Sequence, residues 1–410
     1  MIGTAATYSL LFISLYFEIF LLTSFIELRL KRSGTAKTAV VPAEYPSVAI
    51  VVPCYNEESG LGLTLVSLLS LDYPKDKLEI IVVDDGSKDK TLEIAHGFTS
   101  DPRIKIFHKE NGGKHTAMNY ALERTDAQLI GCLDADSVVA PEALLNVIPV
   151  FENTRVAAVT PGIHTKEPTN MLQHMQKVEY RLSVFNRFML ASLGSAFITP
   201  GPFSIFRTSI VKELGGWRHA HSTEDMEMAL RMQKAGYLIA NAPGAVVHTA
   251  TPLTVRHLFK QRVRWTYGFL RNAFDYRSMI GNRAYGNLGI IILPISLISI
   301  GAGIFFFVRI IYFGILSLRH AYTRYEVTGH LLSHPNLSLF YFNTSVMWFL
   351  VCVSIALILA LISAGSWIGT GKRTLPIGTP LFVLLYCFLV PLWLATALWK
   401  ATFKTGVQWR

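Results

Sequence analysis

LIGCLDAD, at residues 129–136, is a short apolar run that leads directly into two carboxylates, Asp134 and Asp136. Apolar runs of this length, bounded by polar residues, are typical of buried strands. Earlier runs of the same kind occupy residues 48–52, 80–83 and 104–107, with helical stretches such as 58–71 and 114–124 between them. Strands that alternate with helices predict a doubly wound, mostly parallel α/β sheet, whose ligand lies outside the carboxyl ends of the strands.

The composition indicates a second structural unit beside this sheet. The chain has 410 residues, more than one domain usually contains, with 51% hydrophobic and only 16% charged residues. With that balance a soluble protein of this size would have too little polar surface to stay in solution. Membrane spans are the simplest explanation.

Several apolar runs are long enough to cross a bilayer. Residues 6–28 predict an N-terminal transmembrane anchor within residues 1–30. A cleaved signal peptide is the alternative, but no basic residue precedes the run and no small-residue cleavage site follows it. Runs at 288–316, 344–368 and 379–399 predict about three transmembrane helices within residues 286–410.

The net charge of +10 has a distribution that favours a membrane over other anionic partners. Lys31 and Arg32 follow the first apolar run, and Lys372 and Arg373 lie between two later runs, as expected for cations on the cytosolic side. We therefore expect a multi-pass protein of the cell membrane, with its α/β domain in the cytosol and in contact with membrane lipids. No basic and aromatic nucleic-acid motif appears, so we expect no nucleic-acid partner. The topology of the last span stays open, because this arrangement leaves Lys400 outside.

Two further stretches, residues 169–190 and 253–277, mix apolar side chains with Lys and Arg at helical spacing. Such helices lie either in the membrane interface or on the surface of an ordinary soluble core. Their position beside the apolar runs favours the interface. We therefore divide the rest of the chain into a soluble α/β domain at residues 40–252 and interfacial helices at residues 253–285.

Polar residues follow the first two predicted strands, where a doubly wound sheet binds its ligand. Pro53, Tyr55 and Glu57 follow the first strand and can line a nucleotide pocket. Asp85 follows the second strand, where its carboxylate can accept hydrogen bonds from a ribose or a base. The alternative is that Asp85 or Ser87 only caps a helix that begins near residue 88.

Asp134 and Asp136 are the candidate metal ligands. Two carboxylates one residue apart at a strand end can hold a hard divalent cation together with the diphosphate of a nucleotide sugar. This spacing alone is common by chance, but its place after several strands with polar loops on one predicted edge favours a site. A dinucleotide-dependent oxidoreductase is disfavoured, because no G-x-G-x-x-G follows the first strand.

An ordered set of motifs runs through the same region. The chain contains DDGS at 84–87, DAD at 134–136, TED at 223–225 and QRVRW at 261–265. This set resembles the D, DxD, TED and QxxRW signature of membrane-integrated family 2 glycosyltransferases, which include the poly-N-acetylglucosamine, nodulation-type chitooligosaccharide, hyaluronan and cellulose synthases. The resemblance extends over residues 45–275 and implies a GT-A-like catalytic domain joined to a helical transmembrane region.

The resemblance also implies which residues bind a UDP-sugar donor and its metal. Mg²⁺ or Mn²⁺ would be held by Asp136 and Asp134. The residues that would bind the nucleotide sugar are Pro53, Tyr55, Glu57, Asp85, Lys114, Asp134, Gln261 and Arg264.

By the same resemblance Asp225 is the general base, and Glu224 is the neighbouring residue that shapes the catalytic site. The chemistry agrees, because an acceptor hydroxyl must lose its proton as it attacks the anomeric carbon. The alternative reading of this acidic pair is the amino-terminal turn of a helix over residues 226–234, and both readings can hold together.

Gln261, Arg264 and Trp265 share one face of a helix predicted over residues 258–272. Arg264 can stabilise charge on the leaving diphosphate, and Trp265 offers a flat surface for an acceptor sugar. Without the other motifs these residues would suit anchors at the membrane interface. Gly201 lies in a loop expected to meet the acceptor, although the flanking prolines stiffen it.

The leading hypothesis is an inverting, processive synthase that extends a β-linked polysaccharide from a UDP-sugar, with UDP-N-acetylglucosamine the favoured donor. The alternative is a single transfer to a lipid-linked acceptor. A non-catalytic membrane receptor is disfavoured, because every expected acidic position is filled. Either enzyme would have a saccharide or lipid-linked acceptor, and an accessory protein is compatible with both.

Overall fold

The computed structural model describes residues 2–32, 44–330 and 345–403. Residues 40–43 of the predicted α/β domain, residue 344 of one predicted span and the C-terminal residues 404–410 lie outside the described residues. The domain boundaries proposed above stay a prediction.

Within the described residues the strands form one eight-stranded sheet. The strands are β1 Val48–Cys54, β2 Leu78–Asp84, β3 Ile104–His108, β4 Leu129–Cys132, β5 Val138–Val139, β6 Val156–Thr165, β7 Ser204–Arg207 and β8 Leu238–Thr249. Their order in the sheet is β3-β2-β1-β4-β7-β6-β8-β5. The pairs β1/β2, β1/β4, β2/β3 and β6/β8 are parallel, and the other three are antiparallel. The predicted mostly parallel sheet is confirmed, and β1 to β4 match the four predicted strands.

The helices lie on both faces of this sheet and beyond it. In chain order they are α1 Ile2–Arg32, α2 Leu61–Leu69, α3 Thr91–His96, α4 Lys114–Leu122, α5 Ala143–Val147, α6 Met171–Ser192, α7 Thr208–Glu213, α8 Glu224–Lys234, α9 Val255–Asp275, α10 Leu293–Thr328, α11 Val346–Thr370 and α12 Thr379–Phe403. The helices predicted over 58–71, 114–124, 169–190 and 253–277 correspond to α2, α4, α6 and α9.

Alternation along β1 explains why the sheet is covered on both faces. Val48, Ile50 and Val52 belong to a buried cluster with side chains of α2, α3 and α5. Ala49 and Val51 belong to a second buried cluster with side chains of α4, α7 and α8. Because successive side chains of a strand point to opposite faces, an uninterrupted apolar strand requires a helical layer on each side.

The strand order places the polar loops at one edge. The chain moves outward from β1 through β2 to β3 and then returns to the other side of β1 to form β4. Cys54 at the end of β1 pairs with Asp84, and Val51 pairs with Cys132 at the end of β4. The loops after β1, β2 and β4 therefore meet at a topological switch point, the usual ligand site of such sheets.

The remaining architecture is that of a membrane-embedded protein. Among the described residues, four helices are long and apolar enough to cross a bilayer: Gly3–Lys31, Leu288–Thr328, Val346–Thr370 and Thr379–Phe403. Long apolar helices are thus present at the positions where the sequence predicts the anchor and the three further spans. α11 and α12 both pack against α6, which in turn packs against β6 and β8, so α6 lies between the sheet and these two apolar helices. α12 also packs against α9, and α9 contacts α8.

Gly365 allows α11 to lie directly against α6, because it has no side chain. A Cβ atom at this position would collide with the carbonyl oxygen of Arg181, whereas one on Gly301 in α10 would meet nothing within 4 Å. We expect Gly365→Ala to lower the free energy of unfolding by about 1–3 kcal/mol, because backbone atoms cannot yield as a flexible side chain does. Thermal unfolding in one detergent, with Gly301→Ala as the chemically identical control, measures this. Equal melting temperatures for the two variants would contradict a tight α11–α6 contact.

Candidate active site

The loops after β1 and β2 bind each other. Asn56 has a positive φ of 55°, and its backbone N–H donates to Ser87 Oγ at 2.9 Å. Its side-chain Oδ1 accepts from the Lys88 N–H at 2.8 Å. The Glu57 N–H donates to Thr91 Oγ1 at 2.7 Å. These bonds hold the segment that contains the predicted nucleotide-binding residues Pro53, Tyr55 and Glu57 against the loop that follows β2.

Asp85 is buried and organises the approach to α4. Its carboxylate accepts from Lys109 Nζ at 2.6 Å, from the Gly112 N–H at 3.0 Å and from the Gly113 N–H at 2.8 Å. It does not cap a helix, because α3 begins only at Thr91. Lys109 had no signal in the sequence, since its partner lies 24 residues away. Asp85 thus supports the loop that leads into Lys114, and its contact with a nucleotide stays a prediction.

Lys114 and Asp134 form an ion pair across the switch point. Lys114 is the first residue of α4, Asp134 follows β4, and Lys114 Nζ contacts Asp134 Oδ1. Burial acts to lower the pKa of Lys114, but Asp134 and the other acidic groups around it, Glu224 among them, together outweigh burial and hold that pKa well above its usual value. Gly201 lies against this pair, since a Cβ there would come within 2.7 Å of both Asp134 oxygens. The structure therefore places Gly201 beside two of the predicted donor-binding residues, and its acceptor contact stays a prediction.

Asp136 completes the acidic pair that follows β4. Ser137 Oγ donates to Asp136 Oδ1 at 2.9 Å. Burial, and then the like charge of Asp134, raise the pKa of Asp136 above its usual range. Among the described residues no group of three or more His, Cys, Asp or Glu side chains could hold a metal by itself. Two carboxylates nevertheless fit Mg²⁺, which proteins often bind through one or two carboxylates, substrate phosphates and water.

Asp225 lies in the first turn of α8, held on one side by the loop that carries Gly201. Its backbone carbonyl accepts from Thr199 Oγ1 at 2.7 Å, and its own Oδ1 accepts from the Met226 N–H at 2.9 Å. Burial, and then the Glu224 carboxylate, raise the pKa of Asp225 to about 6, while Lys114 opposes the shift. A carboxylate with a pKa near neutrality is suited to act as a general base.

A narrow cleft brings several of the predicted site residues together. Its lining consists of Lys114, Met118, Cys132, Thr199, Gly201, Phe206, Trp217, Glu224 and Asp225. Arg264 lies within electrostatic range, since its charge acts to lower the pKa of Asp225. Pro53, Tyr55 and Glu57 are not part of this lining and lie beside the loop after β2. The cleft therefore brings the proposed base together with Lys114, whose ion-pair partner Asp134 is not itself part of the lining.

Arg262 was missed by the sequence reasoning and supports two of the predicted residues. It is buried in α9, and its NH1 donates to Gln261 Oε1 at 2.7 Å. Its guanidinium lies 4.2 Å from the centre of the Trp265 ring. On the other side it pairs with Glu179 of α6 at 2.8 Å, and Glu179 also accepts from the hydroxyl of Tyr386 in α12 at 2.8 Å. Arg262 thus links the predicted acceptor platform to the apolar helices.

Removing the charge of Glu179 should expose the cost of burying Arg262. We expect Glu179→Gln to lower the free energy of unfolding by about 2–4 kcal/mol, because a buried guanidinium would lose its anionic partner. Tyr386→Phe should cost less, about 1 kcal/mol, since it removes one neutral hydroxyl donor. Thermal unfolding measures both. Glu167→Gln is the matched control, because Glu167 is exposed in its pair with Lys177, and a loss equal to that of Glu179→Gln would contradict the assignment.

Comparison with known proteins places this geometry in a family. Residues 46–268 match the family described as glycosyltransferase like family 2. The poly-β-1,6-N-acetyl-D-glucosamine synthase of Staphylococcus epidermidis is 32% identical over 245 residues, covering 58% of this chain and 59% of that protein. The synthase of the same name from Staphylococcus aureus strain COL is 29% identical over 260 residues, 63% of each. The chain thus spans less than two thirds of the length of these curated relatives.

The fold has a counterpart among solved structures. The mannosyltransferase PcManGT from Pyrobaculum calidifontis, solved in complex with GDP-Man and Mn²⁺, aligns with a TM-score of 0.60 over 98% of both chains at 19% identity. The alignment therefore includes the apolar helices as well as the sheet. Because the family match extends over more than half of the chain and includes the four motifs, the chain belongs to glycosyltransferase family 2.

Proposed function

We propose that this protein is an inverting, processive glycosyltransferase that adds sugars from a UDP-sugar to a growing β-linked polysaccharide at the membrane. The observation that carries the proposal is that Asp225, with a pKa of about 6, and Lys114 line the same cleft. A base and a donor-side cation within one cleft at the switch point suit transfer between a bound nucleotide sugar and an acceptor hydroxyl.

The transfer is a single displacement at the anomeric carbon. Asp225 takes the proton of the acceptor hydroxyl as its oxygen forms the new bond to that carbon. The bond between the anomeric carbon and the diphosphate oxygen breaks with its electron pair, so UDP leaves with added negative charge. Lys114 and Arg264 are close enough to Asp225 for their charges to lower its pKa, and we assign these two cations to stabilise the leaving diphosphate.

Asp134 and Asp136 are the residues that would hold Mg²⁺ or Mn²⁺. When bound, such a cation neutralises charge on the donor diphosphate. The raised pKa of Asp136 supports the assignment, because two neighbouring carboxylates need a cation between them and a diphosphate. Lys114 already offsets part of the charge of Asp134.

Two observations bear on the identity of the donor and the extent of transfer. The names of the staphylococcal relatives support UDP-N-acetylglucosamine and a polysaccharide product. The second candidate is transfer of one sugar to a lipid-linked acceptor, which is favoured by the position of α6 between the sheet and the apolar helices α11 and α12. Lys31, Arg32, Lys372 and Arg373 support a cytosolic catalytic domain.

A donor screen on the full chain in detergent or lipid discs tests this function. We expect UDP release with one UDP-sugar, highest with UDP-N-acetylglucosamine, in the presence of Mg²⁺ or Mn²⁺, and its loss in excess EDTA. Product separation by length should show a ladder. A single sugar on a lipid would favour the second candidate, full activity without metal would overturn the roles of Asp134 and Asp136, and no turnover of any sugar nucleotide would overturn the proposal.

Asp225→Asn separates chemistry from binding because it keeps the shape of the side chain. We expect kcat to fall by on the order of 100-fold to 10,000-fold with little change in donor affinity. In the parent, a base with a pKa of about 6 predicts a rate that falls as the pH drops below 6 and levels off above it. UDP release across pH, with calorimetric donor binding, measures both.

Asp134→Asn is the matched variant at a donor-binding carboxylate. It should lose donor binding as well as turnover, so the two variants fail in different ways. An Asp225→Asn protein with near-parental turnover would overturn the base assignment. A folded Asp225→Asn protein that cannot bind donor would move Asp225 into the nucleotide site.

A further inference from the structure

The segment that precedes Asp225 is a tight turn with an unfavourable backbone. The Thr223 N–H donates to the Ala220 carbonyl at 2.9 Å, and the two residues between them, His221 and Ser222, have φ values of +52° and +64°. Two consecutive positive φ angles are the mark of a type I′ turn, which favours Gly, Asn and Asp. Positive φ angles are uncommon for residues other than Gly, and although His adopts them more often than most, Ser does not, so contacts outside the turn stabilise this conformation.

Thr223 also departs from its expected role. It is the N-cap of α8, yet its side chain makes no capping hydrogen bond to that helix. A threonine at an N-cap usually accepts from a backbone N–H of the first turn. Here Thr223 Oγ1 donates to the Ala220 carbonyl at 3.1 Å and accepts from Asn272 Nδ2 of α9 at 2.9 Å. The hydroxyl is therefore used to join the turn to α9 instead of stabilising α8.

α9 meets the turn along its second half. Asn272 is 1% exposed, so its bond to Thr223 is shielded from water. Gly268, one turn earlier, leaves room for the approach, since a Cβ there would lie 2.8 Å from Thr223 Cβ. At the end of α9, Asp275 makes a second contact with the turn, since its Oδ2 lies 2.9 Å from His221 Nε2. Both residues that flank Ser222 are thus attached to the same helix.

We propose that Asn272 is a positioning residue for Asp225: by holding Thr223 it keeps the turn at residues 220–223 in its unfavourable conformation and aims Asp225 into the cleft. The proposal rests on the proposed function for the role of Asp225. The path is short, because Thr223 and Asp225 are two residues apart and the Thr223 carbonyl accepts the Met226 N–H at 3.1 Å. Thr199 holds the Asp225 backbone from the opposite side.

Hydrogen exchange tests whether the bond between Asn272 and Thr223 holds the turn at residues 220–223, and it needs no sugar donor. In the full chain, Asn272→Leu and Thr223→Val should each speed exchange of the amides in residues 219–225 by about tenfold or more, because the turn opens more often. Thr223→Ser retains the hydroxyl and should exchange more slowly than Thr223→Val. Tyr276→Phe is the control, since the hydroxyl of Tyr276, directly after α9, donates to Glu227 of α8 at 2.6 Å and not to a residue of the turn. Unchanged exchange in both Asn272→Leu and Thr223→Val would overturn the proposal that Asn272 holds the turn through Thr223.

Kinetics tests the consequence for catalysis. Asn272→Leu and Thr223→Val should each lower kcat of UDP release by about 10-fold to 100-fold, because a small displacement of a catalytic group has effects of this size. Donor affinity by calorimetry should stay within about twofold, and Tyr276→Phe should keep the parental kcat. The double variant should be no slower than the slower single variant, since both remove one interaction.

The outcomes separate this inference from the proposed function. Faster exchange in the turn with parental kcat would show that the bond holds the turn but does not position Asp225. This result would overturn the inference and leave the proposed function standing. A parallel loss of donor affinity and kcat would show a general structural role and overturn it as well. Absence of UDP release in the parent with every donor would overturn the proposed function, while the exchange rates would still decide whether Asn272 holds the turn.

Discussion

The ion pair between Lys114 and Asp134 joins parts of the chain that approach the site from different directions. Lys114 begins α4 after the loop held by Asp85, Asp134 ends the run from β4, and Gly201 fits against both. The ion pair and the segments around it depend on each other. A side chain at Gly201 would separate the pair, and a looser Asp85 loop would displace Lys114. The cleft therefore rests on charges that are paired within a partly buried space, where an unpaired charge would be costly.

α9 connects this cleft to the membrane-embedded helices. Near the middle of α9, Arg262 is tied through Glu179 to Tyr386 of α12, and the same guanidinium lies over Trp265. In its last turns, Asn272 holds Thr223 beside the acidic pair of α8. One rigid helix thus sets both the predicted acceptor platform and the proposed base relative to each other. A helix suits this purpose because its residues keep fixed spacings that a loop would not maintain.

Much of the fold was predictable because it follows from local patterns. The apolar runs of β1 to β4 are short and bounded by polar residues, and the spans are long and nearly free of charge, so each class has a clear signature. The later strands of the sheet were not predicted. β5 has only two residues, too few to form a recognisable run, and β8 is interrupted by polar residues such as Asn241 and His248.

The sequence by itself determined which residues we propose for the chemistry, since the four motifs, in their order along the chain, can be recognised without a structure. Only the tertiary structure decided how those residues are supported. Gly201 beside Lys114, Glu179 with Arg262 and Tyr386, and Asn272 with Thr223 are contacts between segments far apart in the chain. The physical reason is that periodicity reports which face of an element is buried. It does not report which other element covers that face, because this depends on how all the helices pack around the sheet.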